Sequence, residues 1–168
     1  MGPEQMMPIL HEILEYTSLP VIVKPNAGLP KQRDGETYYA SANGLLKLDV
    51  VGYADIMTAA DLFEEERAYA NRYTGHLKMG GYKIFLDGSP QGRTAWMTKP
   101  YEGEENYCGY PIHTDEELNH YIELALEKKQ QLLAHCNGDA AAEQYIGQFE
   151  KALSKRTDKD LHRAVMVH

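Results

Sequence analysis

Lys83 interrupts an otherwise apolar run, Tyr82-Lys83-Ile84-Phe85-Leu86, while His135 and His168 each close a short stretch further along the chain. The separations are 52 and 33 residues, which suit one strand-to-strand crossover with a long loop and then a plain one. An amine drawn out of water gives up its proton more readily and becomes a nucleophile. Such an amine can form a Schiff base, or take up carbon dioxide as a carbamate whose two oxygens bridge divalent cations. Two imidazoles and a carboxylate-like group are ligand types that zinc accepts while leaving a position for water. Each residue also has a plainer use. A histidine at a strand end can serve only as a hydrogen-bonding group, and the Lys83 stem can lie along apolar surface with its ammonium in water or against Asp87.

Other candidates lie between these three. The segment 87–113 is rich in glycine and proline and too long for a passive connection, so it reads as a lid or binding loop. Within it, Arg93 can pair a substrate carboxylate or stand on the surface. Trp96, Tyr101 and Tyr110 can line a pocket or anchor the loop. Asp139, after His135-Cys136-Asn137-Gly138, caps a helix or orients a ligand. Cys136 reads as a buried strand-end thiol, because no spacing signature makes it a nucleophile. His11, His76, His113, His120 and His162 show no partner pattern and read as surface or cap residues.

These side chains must be carried by elements, and the pattern supplies them. Apolar spacing predicts a helix over 3–16, a short strand over 21–23 and a turn-rich loop over 25–30. Further on it predicts strands over 46–53, 82–86, 131–135 and 163–168. Helices are predicted over 55–72, 114–129 and 137–153, the second opened by the capping box Thr114-Asp115-Glu116-Glu117. Strand and helix alternate from Leu46 onward, the mark of parallel βα units, where functional side chains emerge at the C-terminal ends of strands. The fold class is therefore α/β, an open, mostly parallel set of βα units.

Composition narrows the function. The 168 residues carry 17 Lys+Arg against 25 Asp+Glu, a net charge of −8, with no basic run to neutralise phosphates, which argues against nucleic acid. No apolar run approaches a membrane span, and the N-terminus lacks a signal region. Two cysteines, Cys108 and Cys136, are too few for a disulfide scaffold and suit the reducing cytoplasm.

From about residue 41 to 168 the chain resembles the amidohydrolase superfamily, in particular its YtcJ-like group. The residues that carry this are Leu48-Asp49-Val50-Val51, the run from Tyr82 through Asp87-Gly88-Ser89-Pro90-Gln91-Gly92-Arg93-Thr94-Ala95-Trp96, Pro100-Tyr101, His135-Cys136-Asn137-Gly138-Asp139-Ala140-Ala141, and Val167-His168. The resemblance implies a partial (β/α)8 TIM barrel and hydrolysis of non-peptide C–N bonds by a water that a divalent metal, zinc foremost, activates. It makes Lys83 the carbamylated, metal-bridging lysine and His135 and His168 the histidine ligands. Asp87 and Asp139 would support those ligands, and Arg93, Trp96 and Tyr101 would touch a small-molecule substrate. The family pattern also has a His-x-His pair on its first strand and an Asp on its last; none of the seven histidines here are two apart.

Residues 1–40 are similar instead to the homocysteine S-methyltransferase domain of cobalamin-dependent methionine synthases. The carrying residues are Gly2-Pro3-Glu4-Gln5-Met6 and Leu19-Pro20-Val21-Ile22-Val23-Lys24-Pro25-Asn26-Ala27-Gly28-Leu29-Pro30, without that family's zinc-binding cysteines. The expectation is thus a junction of two barrel fragments, 1–40 and 41–168, with little or no turnover alone and self-association through exposed sheet edges. The alternatives are a methyltransferase remnant and a non-catalytic association module built on the 87–113 loop.

Overall fold

Strand β1, Val21–Val23, lies parallel to β2, Val50–Asp55, in the register Val21 to Val50, Ile22 to Val51 and Val23 to Gly52. The computed structural model describes residues 21–23 and 41–167, in two compact units, Met1–Gly81 and Tyr82–His168. The helix expected over 3–16, the loop expected over 25–30 and His168 lie outside the described residues.

In the first unit, β2 buries Val50, Gly52 and Ala54 and leaves Val51 and Tyr53 half-buried, the period-two pattern of a strand covered on one face. It begins four residues later than the sequence suggests. The helix expected over 55–72 is reduced to the single turn α1, Leu62–Glu65. The competing interaction is visible: the Tyr69 carbonyl accepts from the Met79 N–H, and the Asn71 N–H donates to the Met79 carbonyl. Residues 69–71 are committed to pairing with the next strand, and Asn71 turns through a left-handed φ of 56°. A helix through that point would give up both bonds.

Strand β3, Leu77–Phe85, passes through the division between the units and starts five residues before its expected beginning. The pair Gly80-Gly81 hides that start from propensity, and Gly81 also changes the strand's phase. Leu77, Met79 and Gly81 are buried, and then Tyr82 and Ile84 are buried instead. Gly81 has φ 156°, which a side chain would strain. Because a strand alternates with period two, a one-residue slip reverses the faces. Lys83 and Phe85 thereby reach the half-exposed side.

The second unit follows the expected order. Helix α2, Asp115–Glu127, opens on a complete capping box: the Thr114 side chain accepts from the Glu117 N–H at 3.2 Å, and the Glu117 carboxylate accepts from the Thr114 N–H at 2.9 Å. Strand β4, Gln131–His135, is where the pattern puts it, with Leu132 and Ala134 buried and Gln131, Leu133 and His135 half-exposed. Helix α3, Asp139–Ser154, follows, and β5, Val165–Val167, runs parallel to β4 with Leu133 beside Val165 and His135 beside Val167. Leu118, Ile122, Ala125 and Leu126 of α2 and Ala141, Tyr145, Phe149 and Ala152 of α3 are buried, and the Tyr145 hydroxyl reaches the Leu132 carbonyl at 3.3 Å. Each fully buried Leu or Ile contributes about 1.5–3 kcal/mol. On β5, Val165 and Met166 stay 37% and 44% exposed, although neighbours on a strand face opposite ways, so both sides of the strand are open there, while Val167 is half-buried.

Replacing Thr114 with Ala removes the acceptor from the first turn of α2. We expect a loss of about 1 kcal/mol in urea unfolding, with the m-value unchanged.

Candidate functional site

The half-exposed side of the second unit presents Lys83 and Phe85 from β3 and Leu133 and His135 from β4. The Lys83 Nζ sits 5.0 Å from the centre of the Phe85 ring, and that ring lies 5.0 Å from the His135 ring. Two of the three predicted ligands therefore share one face, with an aromatic ring next to both. Lys83 is half-buried, more open than its apolar surroundings in sequence suggest; the ring face offers its ammonium a cation–π partner. The third, His168, lies outside the described residues. Among the described residues no group of three or more His, Cys, Asp or Glu side chains is placed to hold a metal ion.

Asp87, 1% exposed, organises what surrounds this face. Its Oδ1 accepts from the Asn137 N–H at 2.9 Å, and its Oδ2 accepts from the N–H groups of Trp96 at 2.9 Å and Gly138 at 2.6 Å. One carboxylate thus joins the end of β3, the middle of the long loop and the start of α3. A buried charge is tolerable only with such donors. The His135 Nε2 stands 3.9 Å from Oδ1. Nε2 is also 3.2 Å from the Gly88 carbonyl oxygen and 3.0 Å from the Asn137 side-chain amide, which itself donates to Gly88 at 2.6 Å.

Gly138 must be glycine for a steric reason: a Cβ there would stand 1.8 Å from the Trp96 carbonyl oxygen. It is also the N-cap of α3, so the capping expected of Asp139 falls one residue earlier, without a side-chain bond. Asp139 instead receives the Thr98 N–H at 2.7 Å and the Thr98 hydroxyl, latching the loop to the helix. The Thr98 hydroxyl first, then its N–H, hold the Asp139 carboxyl below the ordinary aspartate value of 3.8.

The loop is folded on itself. Arg93 pairs with Glu104 at 2.6 Å, the Tyr101 hydroxyl donates to the Ala95 carbonyl, and Tyr107 stacks on Tyr101 while its hydroxyl donates to the Arg93 carbonyl. Of the two uses open to Tyr101, anchoring the loop is the one visible; Trp96 is half-exposed with its N–H held by Asp87, and Tyr110 is exposed. Cys136 is buried, and its thiol is pushed up to about 12, by burial first and then by the Asp87 charge, against a smaller opposite pull from Lys83. It remains a thiol at neutral pH. His76 pairs with Asp49 and His162 with Asp160, whereas His113, read as a surface or cap residue, is buried just before the Thr114 cap, its ring edge-to-face with Tyr121. Asn137 and Thr98 were not singled out by sequence. An amide two residues after a strand-end histidine is the signal that marks the first, and nothing local marks the second.

This arrangement can be set beside known proteins. The family model for amidohydrolases matches residues 33–168. The chain belongs to the amidohydrolase family. It is 34% identical over 110 residues to the Bacillus subtilis protein named "Putative amidohydrolase YtcJ", covering 64% of this chain and 20% of that protein. Over 122 residues it is 23% identical to Protein LONG AFTER FAR-RED 3 of Arabidopsis thaliana, covering 73% of this chain and 21% of the relative. Two solved structures described as uncharacterized metal-dependent hydrolases share the fold. The one from Pyrococcus furiosus has a TM-score of 0.68 at 25% identity, covering 89% of this chain and 30% of its own. The one from Pyrococcus horikoshii has 0.65 at 23%, covering 85% and 28%.

The chain thus spans about a fifth of the length of these curated relatives, and its βα units are part of the family's barrel. None of these four descriptions names a methyltransferase, and the family match begins at residue 33, inside the segment likened to one. That likeness is not supported. Residues 1–40 themselves hold no cysteine for a zinc thiolate site.

Two measurements probe this site. Asp87→Asn turns one oxygen into an N–H donor facing donors; we expect a loss of about 2 kcal/mol in denaturant unfolding, with Trp96 fluorescence altered in the native state. The Asp139 latch has a lowered carboxyl, so its contribution is complete above pH 3.8 and is lost as pH falls below that through the lowered value. Acid titration of the fluorescence of Trp96, the single tryptophan, should show that step, and Asp139→Asn should remove it.

Proposed function

We propose that this chain carries part of the catalytic centre of a metal-dependent amidohydrolase acting on non-peptide C–N bonds of a small-molecule substrate. The observation that carries the reading is the shared face of Lys83 and His135, linked through Phe85, in a chain of this family.

The donor chemistry fits a divalent metal. The His135 ring is steadied through Nε2 by a backbone carbonyl and an amide, the kind of support that metal-ligating imidazoles have. Lys83 is open enough to reach dissolved carbon dioxide: its neutral amine adds to the carbon and releases one proton, giving a carbamate that takes the place of a carboxylate ligand. Lys83, His135 and His168 would hold the ion, zinc in this reading. A divalent ion held there supplies Lewis acidity and a water acidic enough to attack a C–N bond near neutral pH. Asp87 fixes the loop and the start of α3 around His135, and Asp139 holds the loop by Thr98. Trp96, Tyr101 and Arg93 sit on that loop, with Arg93 turned to a substrate carboxylate when it leaves Glu104.

No helix among the described residues is long and apolar enough to cross a membrane. Two free cysteines favour the cytoplasm in this reading. Self-association through β5 belongs to it too, supported by the exposure of Val165 and Met166.

Zinc binding tests the assignment. Lys83→Ala and His135→Ala are each expected to weaken zinc affinity at least about tenfold. Only the wild type and His135→Ala should respond to added bicarbonate. Equal zinc affinity in all three proteins would refute the site.

A further inference from the structure

The chain holds two Asn-Gly pairs, Asn43-Gly44 and Asn137-Gly138. An asparagine before glycine is chemically labile, because no side chain on the glycine screens its nitrogen from the asparagine side-chain carbonyl. That nitrogen, relieved of its proton by a base in the solvent, attacks the carbonyl carbon. A C–N bond forms, ammonia leaves, and a five-membered imide remains. Water then opens the imide at either carbonyl, giving aspartate or isoaspartate. The net exchange is water for ammonia, with no oxidant or reductant.

The two pairs stand in opposite surroundings. At Asn137-Gly138 both reacting groups are engaged: the Gly138 N–H donates to the buried Asp87 Oδ2 at 2.6 Å, and the Asn137 side-chain nitrogen donates to the Gly88 carbonyl at 2.6 Å. Taking the proton from Gly138 would set a negative nitrogen against a carboxylate, which disfavours it. The Trp96 main chain lies too close to Gly138 for even a Cβ, so the backbone shift that ring closure demands has no room. At Asn43-Gly44 both residues are exposed, and a Cβ on Gly44 would meet nothing within 4 Å. The Gly44 N–H donates to the Ser41 carbonyl at 3.1 Å, at the exposed end of a short helical turn, with Gly44 at φ 65°. Such an end opens far more readily than a buried anchor.

We infer that Asn43 is a site of spontaneous deamidation in the folded protein, and that the bonds gathered by Asp87 shield Asn137 from the same reaction. Isoaspartate at position 43 carries the main chain through the former side chain and lengthens it. That change falls on the turn closed by Ser41 and Gly44, just ahead of the buried Leu46 and strand β2.

The test incubates the folded 168-residue chain in heavy-oxygen water at mildly alkaline pH, beside the same chain in guanidinium chloride. Cleavage after lysine and arginine in ordinary water leaves Asn43 and Asn137 each the single asparagine of its peptide, so mass spectrometry reads heavy-oxygen uptake at each. In the folded chain Asn43 should convert to aspartate and isoaspartate at least about tenfold faster than Asn137, and in denaturant the two rates should converge. Equal rates in the folded chain overturn the inference, as does an Asn43 that reacts only in denaturant. Rates that stay equally far apart in denaturant trace the difference to neighbouring residues and remove the shielding by Asp87.

Discussion

The second unit depends on one buried carboxylate. Asp87 sits at the end of β3 and draws three main-chain N–H groups onto two oxygens, from Trp96, Asn137 and Gly138. Without it, a loop of nearly thirty residues would lose its buried anchor and keep mainly exposed ties such as Thr98 to Asp139 and Arg93 to Glu104, and ordering such a length is costly in entropy. With it, the loop crosses the start of α3 so closely that Gly138 has no room for a side chain. The histidine two residues before Asn137 inherits its surroundings from this knot.

The knot and the strand face address different parts of the same problem. Strands β3 and β4 decide which side Lys83, Phe85 and His135 occupy; the carboxylate decides what stands over them. The first is a matter of alternation and the change of phase at Gly81. The second is electrostatic, because a fully buried charge accepts whichever donors the chain can deliver. Thr98 and Asp139 then add a clasp at the loop's outer side, where water weakens each bond.

Much of this was legible in the residues. The limits of β4 and the start of α2 follow from apolar alternation and from Thr114-x-x-Glu117, both local signals. The family resemblance over the C-terminal part rested on long, specific strings and held. The failures have physical causes. Residues 55–72 carry helical spacing, but pairing of Tyr69 and Asn71 with Met79 is a long-range gain that spacing does not register. Asp139 reads as a cap because its neighbours do, yet its partner is Thr98, 41 positions away. Asn137 was read only as part of a family string and a helix start, because a single amide has no periodicity; its distances to Gly88 and His135 give it a place in the site.

All three groups that Asp87 gathers are main-chain amides, which every residue type except proline supplies. The fastening of the loop is therefore indifferent to the side chains at positions 96 and 137. A designer, or natural drift, can exchange the indole or the carboxamide for other chemistry while the scaffold beneath keeps its grip. Specificity and architecture are separable at this end of the sheet, and proline is the substitution that would couple them again.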